Sequence, residues 1–237
     1  MFSKKVNKIV ILTGAGISAE SGIKTFRGNL GLWEEEKIEE VATPEAFRKN
    51  PKKVFEFYNL RKKQLLDPNI SPNPAHLALA NLEKNFDGEV NLITQNVDNL
   101  HERAGSKNII HMHGELLKIR CQRSKKVFES VSPNVECPCC KEKGNLRPHI
   151  VWFGEMPLEL PKIFNLLRSC QLFIAIGTSG SVYPAAGFVE EARKYGAHTI
   201  NINDEESENE IYFHRIIRGR ASIETEKLVK ELLSQSF

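Results

Sequence analysis

Six residues near the start, Lys8-Ile9-Val10-Ile11-Leu12-Thr13, run directly into Gly14-Ala15-Gly16-Ile17-Ser18. An apolar, β-branched run without polar alternation reads as a strand buried on both faces, the kind found in parallel sheets covered by helices. The glycines beyond it predict a tight strand-to-helix turn whose backbone allows close approach. The same signal returns down the chain. Val90–Thr94, Asn108–His111, Leu172–Ile176 (closed by Gly177) and Thr199–Ile202 read as further strands. Helices are expected at 51–66 with Asn50 as cap, at 74–85 with Asn73 as cap, from Asp98 to Gly105, at 184–195 and at 225–235.

This alternation predicts an α/β fold, a Rossmann-like parallel sheet with helices on both faces. The core is expected over about 1–28, 71–113 and 151–237. Residues 114–150 break the pattern: they hold four of the five cysteines and three prolines and show little periodicity. With the mainly helical stretch 29–70 they predict a small helical and zinc-ribbon-like lobe within a single 1–237 catalytic domain.

Composition narrows the function. Thirty-three basic against 30 acidic residues leave a net charge of only +3, mixed along the chain, which argues against a nucleic-acid or anionic-membrane partner. No apolar run approaches the roughly 18 residues of a membrane helix. The first residues lead into the strand without an apolar leader, which predicts a cytoplasmic location. There, a cysteine cluster reads as metal or redox chemistry.

Four constellations fall at expected strand ends, where such sheets bind ligands. They are Gly14-Ala15-Gly16-Ile17-Ser18; Thr94-Gln95-Asn96-Val97-Asp98-Asn99-Leu100-His101; His111-Met112-His113-Gly114-Glu115; and Gly177-Thr178-Ser179. The first is an incomplete dinucleotide fingerprint, because Ala19 stands where the third glycine belongs. In this order, with Phe26-Arg27, a cysteine module and Phe153-Gly154-Glu155, they resemble the sirtuin family over about residues 8–235. The likeness is greatest to the bacterial desuccinylase-type (class III) members. Sirtuins are NAD-dependent protein lysine deacylases, giving nicotinamide and O-acyl-ADP-ribose.

The resemblance implies roles residue by residue. Gly14, Ala15, Gly16, Ser18 and Glu20 fall in the phosphate-binding loop, and Phe26 and Arg27 in the loop over the nicotinamide riboside, with Trp33 also toward NAD. Gln95, Asn96, Val97 and Asp98 line the ribose and nicotinamide pocket. Gly177, Thr178 and Ser179 form the second NAD segment. Asn203, Asp204 and Glu205 lie toward the adenosine ribose, and Ala221 toward the adenine. His113, with Asn96 and Asp98, is the catalytic assignment. Breaking the nicotinamide–ribose bond builds positive charge at C1′, so the acyl oxygen must be held in line, and a base near neutrality must then take a ribose proton. His101 and His111 compete for that role, and His111 is the reserve candidate.

Tyr58 and Arg61 lie three apart on an expected helix, so phenol and guanidinium can meet one ligand. The alternative places Tyr58 in the core and Arg61 on the solvated Arg61-Lys62-Lys63 face. The subgroup resemblance implies the first reading, and with it succinyl- and malonyl-lysine beside acetyl-lysine. Val151, Phe153, Gly154 and Glu155 are implied to lie along a substrate peptide that adds as a strand. The partners expected are proteins carrying acylated lysines.

The family's zinc module has two Cys-x-x-Cys pairs. Here Cys137 and Cys140 are one pair, but Cys121-Gln122-Arg123-Ser124 has lost a thiol. A structural zinc on Cys121, Cys137 and Cys140, with Cys139 as an alternate ligand, and a metal-free ribbon are both open. Cys170 reads as core. The other functions weighed are a protein ADP-ribosyltransferase using the same NAD site, a non-catalytic binding module, and a dehydrogenase.

Overall fold

The structure is a computed structural model, and it describes residues 6–23, 32–33, 36–129 and 136–234. In chain order the elements are β1 (Lys8–Thr13), α1 (Ala15–Ala19), β2 (Leu32–Trp33), β3 (Glu36–Lys37), α2 (Ile38–Val41), α3 (Pro44–Lys49), α4 (Pro51–Leu65), α5 (Pro74–Asn85), β4 (Glu89–Thr94) and α6 (Leu100–Ala104). There follow β5 (Ile109–His111), β6 (Gly114–Cys121), β7 (Val127–Glu129), β8 (Leu146–Ile150), α7 (Leu160–Ser169), β9 (Leu172–Ile176), α8 (Phe188–Lys194), β10 (His198–Asn203), β11 (Arg215–Arg218) and α9 (Ala221–Ser234). The chain divides into two units, Met1–Thr25 with Ser71–Met112 and Glu159–Phe237, and Phe26–Ile70 with His113–Leu158. Val151–Glu155 therefore belong to the second unit.

The first unit carries a six-stranded, all-parallel sheet in the order β11-β10-β9-β1-β4-β5. Successive residues of β1 point to opposite faces, and both faces are dry. Ile9 and Ile11 pack with Ala78, Leu79 and Leu82 of α5 and Leu228, Val229 and Leu232 of α9. Val10 and Leu12 pack with Ile163 and Leu167 of α7 and Phe188 and Val189 of α8. This is why the run carries no polar alternation. Cys170 is core, as expected.

Some expectations shift. The helix read at 184–195 is α8, 188–194, preceded by one 3-10 turn at Ala185–Gly187. The closing helix begins four residues early, at Ala221. The helix expected from Asp98 starts at Leu100, whose N–H donates to the Asp98 carboxylate. Both α7 and β11 went unread. The N-cap of α7 is Glu159 in a left-handed conformation without a side-chain cap bond, so no Ser, Thr, Asn or Asp announces that helix.

In the second unit, β7-β6-β8 form an antiparallel sheet inside the stretch read as aperiodic. An irregularity between Gly114 and Ile119 breaks the two-residue period of β6. Pro148 stands within β8, paired with Ile119, where proline normally argues against a strand. The helix expected at 51–66 is α4, with Asn50 Oδ1 accepting the Lys53 N–H as its cap. Val54, Tyr58 and Leu65 are buried along its expected face.

Candidate active site

The strand order determines where ligand chemistry belongs. From β1 the chain winds outward through β4 and β5, then returns to the other side of β1 through β9, β10 and β11. The direction reverses between β1 and β9, and such switch points open a crevice beyond the strands' C-terminal ends. Here the loops after β1 and β9 touch backbone to backbone. The Gly16 N–H donates to Gly177 O at 2.8 Å. A Cβ on Gly14 would stand 2.6 Å from Gly177 O, and one on Gly16 2.7 Å from Gly177 Cα. Gly177 itself has φ +61. The glycines are thus demanded by loop-to-loop contact at the crevice, and no third glycine is needed for it.

The β4 loop folds against the same turn. Asn96 Nδ2 donates to Gly14 O at 3.0 Å and to Ser18 Oγ at 3.1 Å, and the Ser18 hydroxyl donates to Asp98 Oδ2 at 3.0 Å. All three side chains are buried. Burial pushes the Asp98 carboxyl above its usual range, opposed by the Leu100 N–H and the Ser18 hydroxyl. Gln95 Nε2 donates to Thr178 Oγ1 at 3.0 Å, and Asn203 Nδ2 to Thr178 O at 3.0 Å, so Thr178 ties three loops together. The structure therefore brings together Gly14, Gly16, Ser18, Gln95, Asn96, Asp98, Gly177, Thr178 and Asn203. Ala15 and Val97 sit half-buried in the same turns, and Ser179, Asp204 and Glu205 are exposed beyond β9 and β10.

Glu20 takes a part its sequence position did not signal. Its carboxylate accepts the Ser222 N–H at 3.0 Å and the Ser222 hydroxyl at 2.7 Å, capping the first turn of α9 beside Ala221. Phe26 and Arg27 lie outside the described residues. Trp33 is placed as backbone of β2.

The three candidate bases occupy different surroundings. His101 is buried, with Nε2 3.0 Å from Thr13 Oγ1, and burial holds its pKa well below the usual imidazole value. His111 Nε2 lies 2.6 Å from Glu102 Oε1, and its Nδ1 3.3 Å from Asn96 O. His113 is half-buried at the start of the second unit's His113–Leu158 segment, its carbonyl accepting the Val151 N–H at 2.8 Å. The glycine after it is obligatory: Gly114 has φ +85, and a Cβ there would meet His149 O at 2.0 Å.

Also in the second unit, Tyr58 is fully buried, its hydroxyl accepting the Trp152 indole N–H at 2.9 Å. Burial pushes the phenol well above its usual value. Arg61 is half-buried one turn on, its guanidinium 3.8 Å above the Phe57 ring and bonded to Phe57 O. Glu155 accepts from Arg120, from Arg147 and from the Trp152 N–H. Phe153 and Gly154 are exposed, and Val151 is half-buried. Sequence reading passed over Trp152's hydrogen bond and Arg147, because a buried arginine on a strand carries no local signature.

The cysteine module consists of two matching knuckles. The Lys125 N–H donates to Cys121 O and the Lys141 N–H to Cys137 O, and both lysines have φ +61. Ser124 fills the place of the missing thiol, and Cys139 Sγ lies 3.0 Å from its hydroxyl. The sulfurs of Cys121, Cys137, Cys139 and Cys140 all fall within 4.8 Å of one another. Zinc–sulfur bonds of about 2.3 Å require sulfur spacings near 3.8 Å in a tetrahedron. The donor set fits zinc, with Cys139 among the four. An NAD site also passes a local test. The two touching turns at the crevice present bare glycine backbone, and Asn99 Oδ1 in the β4 loop is buried without a hydrogen-bond partner among the described residues.

Comparison with known proteins extends this. The Sir2 family model matches residues 14–184. The NAD-dependent protein deacylase of Vibrio vulnificus (strain YJ016) is 58% identical over 229 residues, 95% of this chain and 94% of that protein. Among solved structures, an ADP-ribose complex of a mutant Sir2 homologue superposes with a TM-score of 0.88 at 39% identity, covering 98% of this chain and 96% of that one. A Sir2 homolog–NAD complex gives 0.86 at 40% identity, covering 97% and 92%. With a likeness this close along nearly the whole length, the chain belongs to the Sir2 family.

Proposed function

We infer that the protein is an NAD-dependent protein lysine deacylase. The observation that carries this is the buried Asn96–Ser18–Asp98 network, locked onto the Gly14 turn at the sheet's switch point in a chain so similar to a protein deacylase. NAD, when bound, supplies the electrophilic ribose carbon and nicotinamide as its leaving group. Toward it the chain offers the backbone of Gly14–Gly16 and Gly177, with Gln95 and Asn203 steadying the Thr178 loop. Asn96 and Asp98 present fixed polar groups, held in place by the Ser18 hydroxyl and, for Asp98, the Leu100 N–H as well. His113 is proposed to accept the ribose proton, a task suited to an imidazole that titrates near neutrality. The enclosure of His101 and the Glu102 contact of His111 support that choice.

Three finer readings belong to the proposal. Tyr58 and Arg61 recognise the terminal carboxylate of succinyl- and malonyl-lysine, in addition to acetyl-lysine substrates that need neither group. Val151, Phe153, Gly154 and Glu155 lie along the substrate peptide. Cys121, Cys137, Cys139 and Cys140 hold a structural zinc that would cross-link the two knuckles. A cytoplasmic location is part of the reading, supported by five free cysteines, as are protein partners bearing acyl-lysines. Among the described residues no helix is long and apolar enough to cross a membrane.

The test is incubation with NAD and acetylated or succinylated peptides, followed by mass spectrometry. Free lysine, nicotinamide and O-acyl-ADP-ribose are expected. Label on protein without O-acyl-ADP-ribose would replace the deacylase with an ADP-ribosyltransferase.

A further inference from the structure

The lateral order between β1 and β4 does not stop where the strands do. Thr13 and Thr94 are their last paired residues, and both are fully buried. The Thr13 hydroxyl donates to Thr94 Oγ1 at 2.9 Å, and Thr94 Oγ1 also accepts the Asn96 N–H at 3.0 Å. On its other side, Thr13 Oγ1 lies 3.0 Å from Nε2 of His101, in the first turn of α6. His101 is thus joined through two hydroxyls to Asn96, which reaches back to Gly14 O and Ser18 Oγ. The Gln95 N–H, between them, donates to Thr13 O at 2.9 Å.

A hydroxyl has one hydrogen. That of Thr13 is given to Thr94, so toward the imidazole Thr13 can only accept, and His101 must carry its hydrogen on Nε2. Nδ1 is then a bare lone pair. It is buried with no hydrogen-bond partner among the described residues, and the ring packs on His76 of α5 with centroids 4.8 Å apart. A hydrogen on Nδ1 would find no acceptor there, and burial holds the imidazole neutral. The neutral Nε2–H form is the one that fits both nitrogens. We propose that His101 is a positioning residue for the chemistry at the crevice: as an Nε2–H donor it fixes, through Thr13 and Thr94, the backbone of Asn96 against the Gly14 turn. Sheet pairing alone ends at Thr13 and Thr94, and the relay carries its register on to the side chain that the proposed deacylase uses. The inference rests on that reading for its effect on rate, but not for the relay itself.

His101→Leu and Thr13→Val remove the origin and the middle of the relay while keeping apolar bulk. Each should lower kcat for NAD-dependent deacylation of an acetylated peptide about a hundredfold, the scale of a small misplacement of reacting groups. The KM for the peptide, whose proposed contacts lie in the second unit, should stay within about twofold. His101→Gln, whose amide N–H can stand in for Nε2–H, and Thr13→Ser, which keeps the hydroxyl, should stay within about threefold of the unaltered protein. The double variant His101→Leu/Thr13→Val should be no slower than the slower single one, since both act through one relay. Thr13→Val against Thr13→Ser carries the test if His101→Leu does not fold. Nitrogen NMR of the unaltered protein, which needs no activity, should show His101 protonated on Nε2 and bare on Nδ1 at neutral pH. The reverse tautomer overturns the proposal. So do a lowered melting temperature with unchanged kcat, additive losses in the double variant, or a His101→Gln variant as slow as His101→Leu. If the unaltered protein forms no O-acyl-ADP-ribose, the deacylase reading fails, and the tautomer still decides the relay.

Discussion

In the first unit, the polar side chains proposed for chemistry stand at the ends of strands, and the central strands β1 and β9 are dry from Ile9 and from Leu172 onward. Ile9 through Leu12 are at most 2% exposed, and Asn96, Asp98 and Ser18 begin where the apolar layers stop. In the second unit, a charged side chain lies within the sheet: Arg147 is buried on β8 itself, and a small apolar cluster of Ile119, Cys121, Cys137 and Leu146 sits at the cysteine module, apart from Val54, Phe57 and Leu65 buried on α4. A large apolar core can carry a polar rim without depending on it. A small one needs ion pairs, stacked rings or a metal to hold its shape. Substitutions of site residues in the first unit should therefore affect chemistry more than stability, and in the second the two should be harder to separate.

His113→Ala tests the sharpest exception, a proposed chemical group that belongs to the second unit. It should lower deacylation of both acetylated and succinylated peptides about a thousandfold, with the thermal midpoint unchanged. Retention of most of the activity would move the base to His111.

Acid should strike the first unit's interior next. Burial holds His76 at about 4, with His101 also well below its usual value. Unfolded, these histidines titrate near 6.5, so below that pH the unfolded chain binds more protons. Stability is then full above about pH 6.5 and falls as pH drops toward 4, by on the order of 3 kcal/mol for His76. Urea melts at pH 7 and 4.5 measure this. A His76→Gln variant with an undiminished pH slope would show that another group is responsible.

The cysteine module offers a test by exchange. Cys139→Ser should drop bound zinc from about one equivalent to a small fraction after mild chelation and lower the melting temperature. Adding Ser124→Cys to that variant restores two regular pairs and should restore the metal. If Cys139→Ser keeps a full equivalent, the fourth ligand lies elsewhere.

The smallest effect is expected at Glu20. Its removal by Ala costs the α9 cap, about 1 kcal/mol, seen in the melting temperature. A large rise in the KM for NAD with unchanged stability would return Glu20 to the phosphate loop.

Legibility in the sequence followed the range of the interaction that makes each feature. Strands β1 and β9 and their glycine turns were readable because a strand buried on both faces must be apolar throughout, and a turn in close contact must be bare. The caps of α4 and α5 were readable because Asn50 and Asn73 act within three residues of their helices. The sheet β6–β8 was not, because an irregularity and a proline hide its period. Neither was the cap that Glu20 provides to Ser222, across 202 positions.

What the sequence by itself determined is the order of motifs, their strand-and-turn setting, the family, and the absence of a regular fourth cysteine at Ser124. Each is a property of residues near one another in the chain, where local backbone geometry and burial period leave their mark. The tertiary structure alone decided that Gly14 and Gly16 are bare to meet Gly177, that Cys139 joins the sulfur cluster, and that Tyr58 takes its hydrogen bond from Trp152. Those contacts join residues distant in the chain or depend on how a turn folds back, and packing selects them only once the chain has closed.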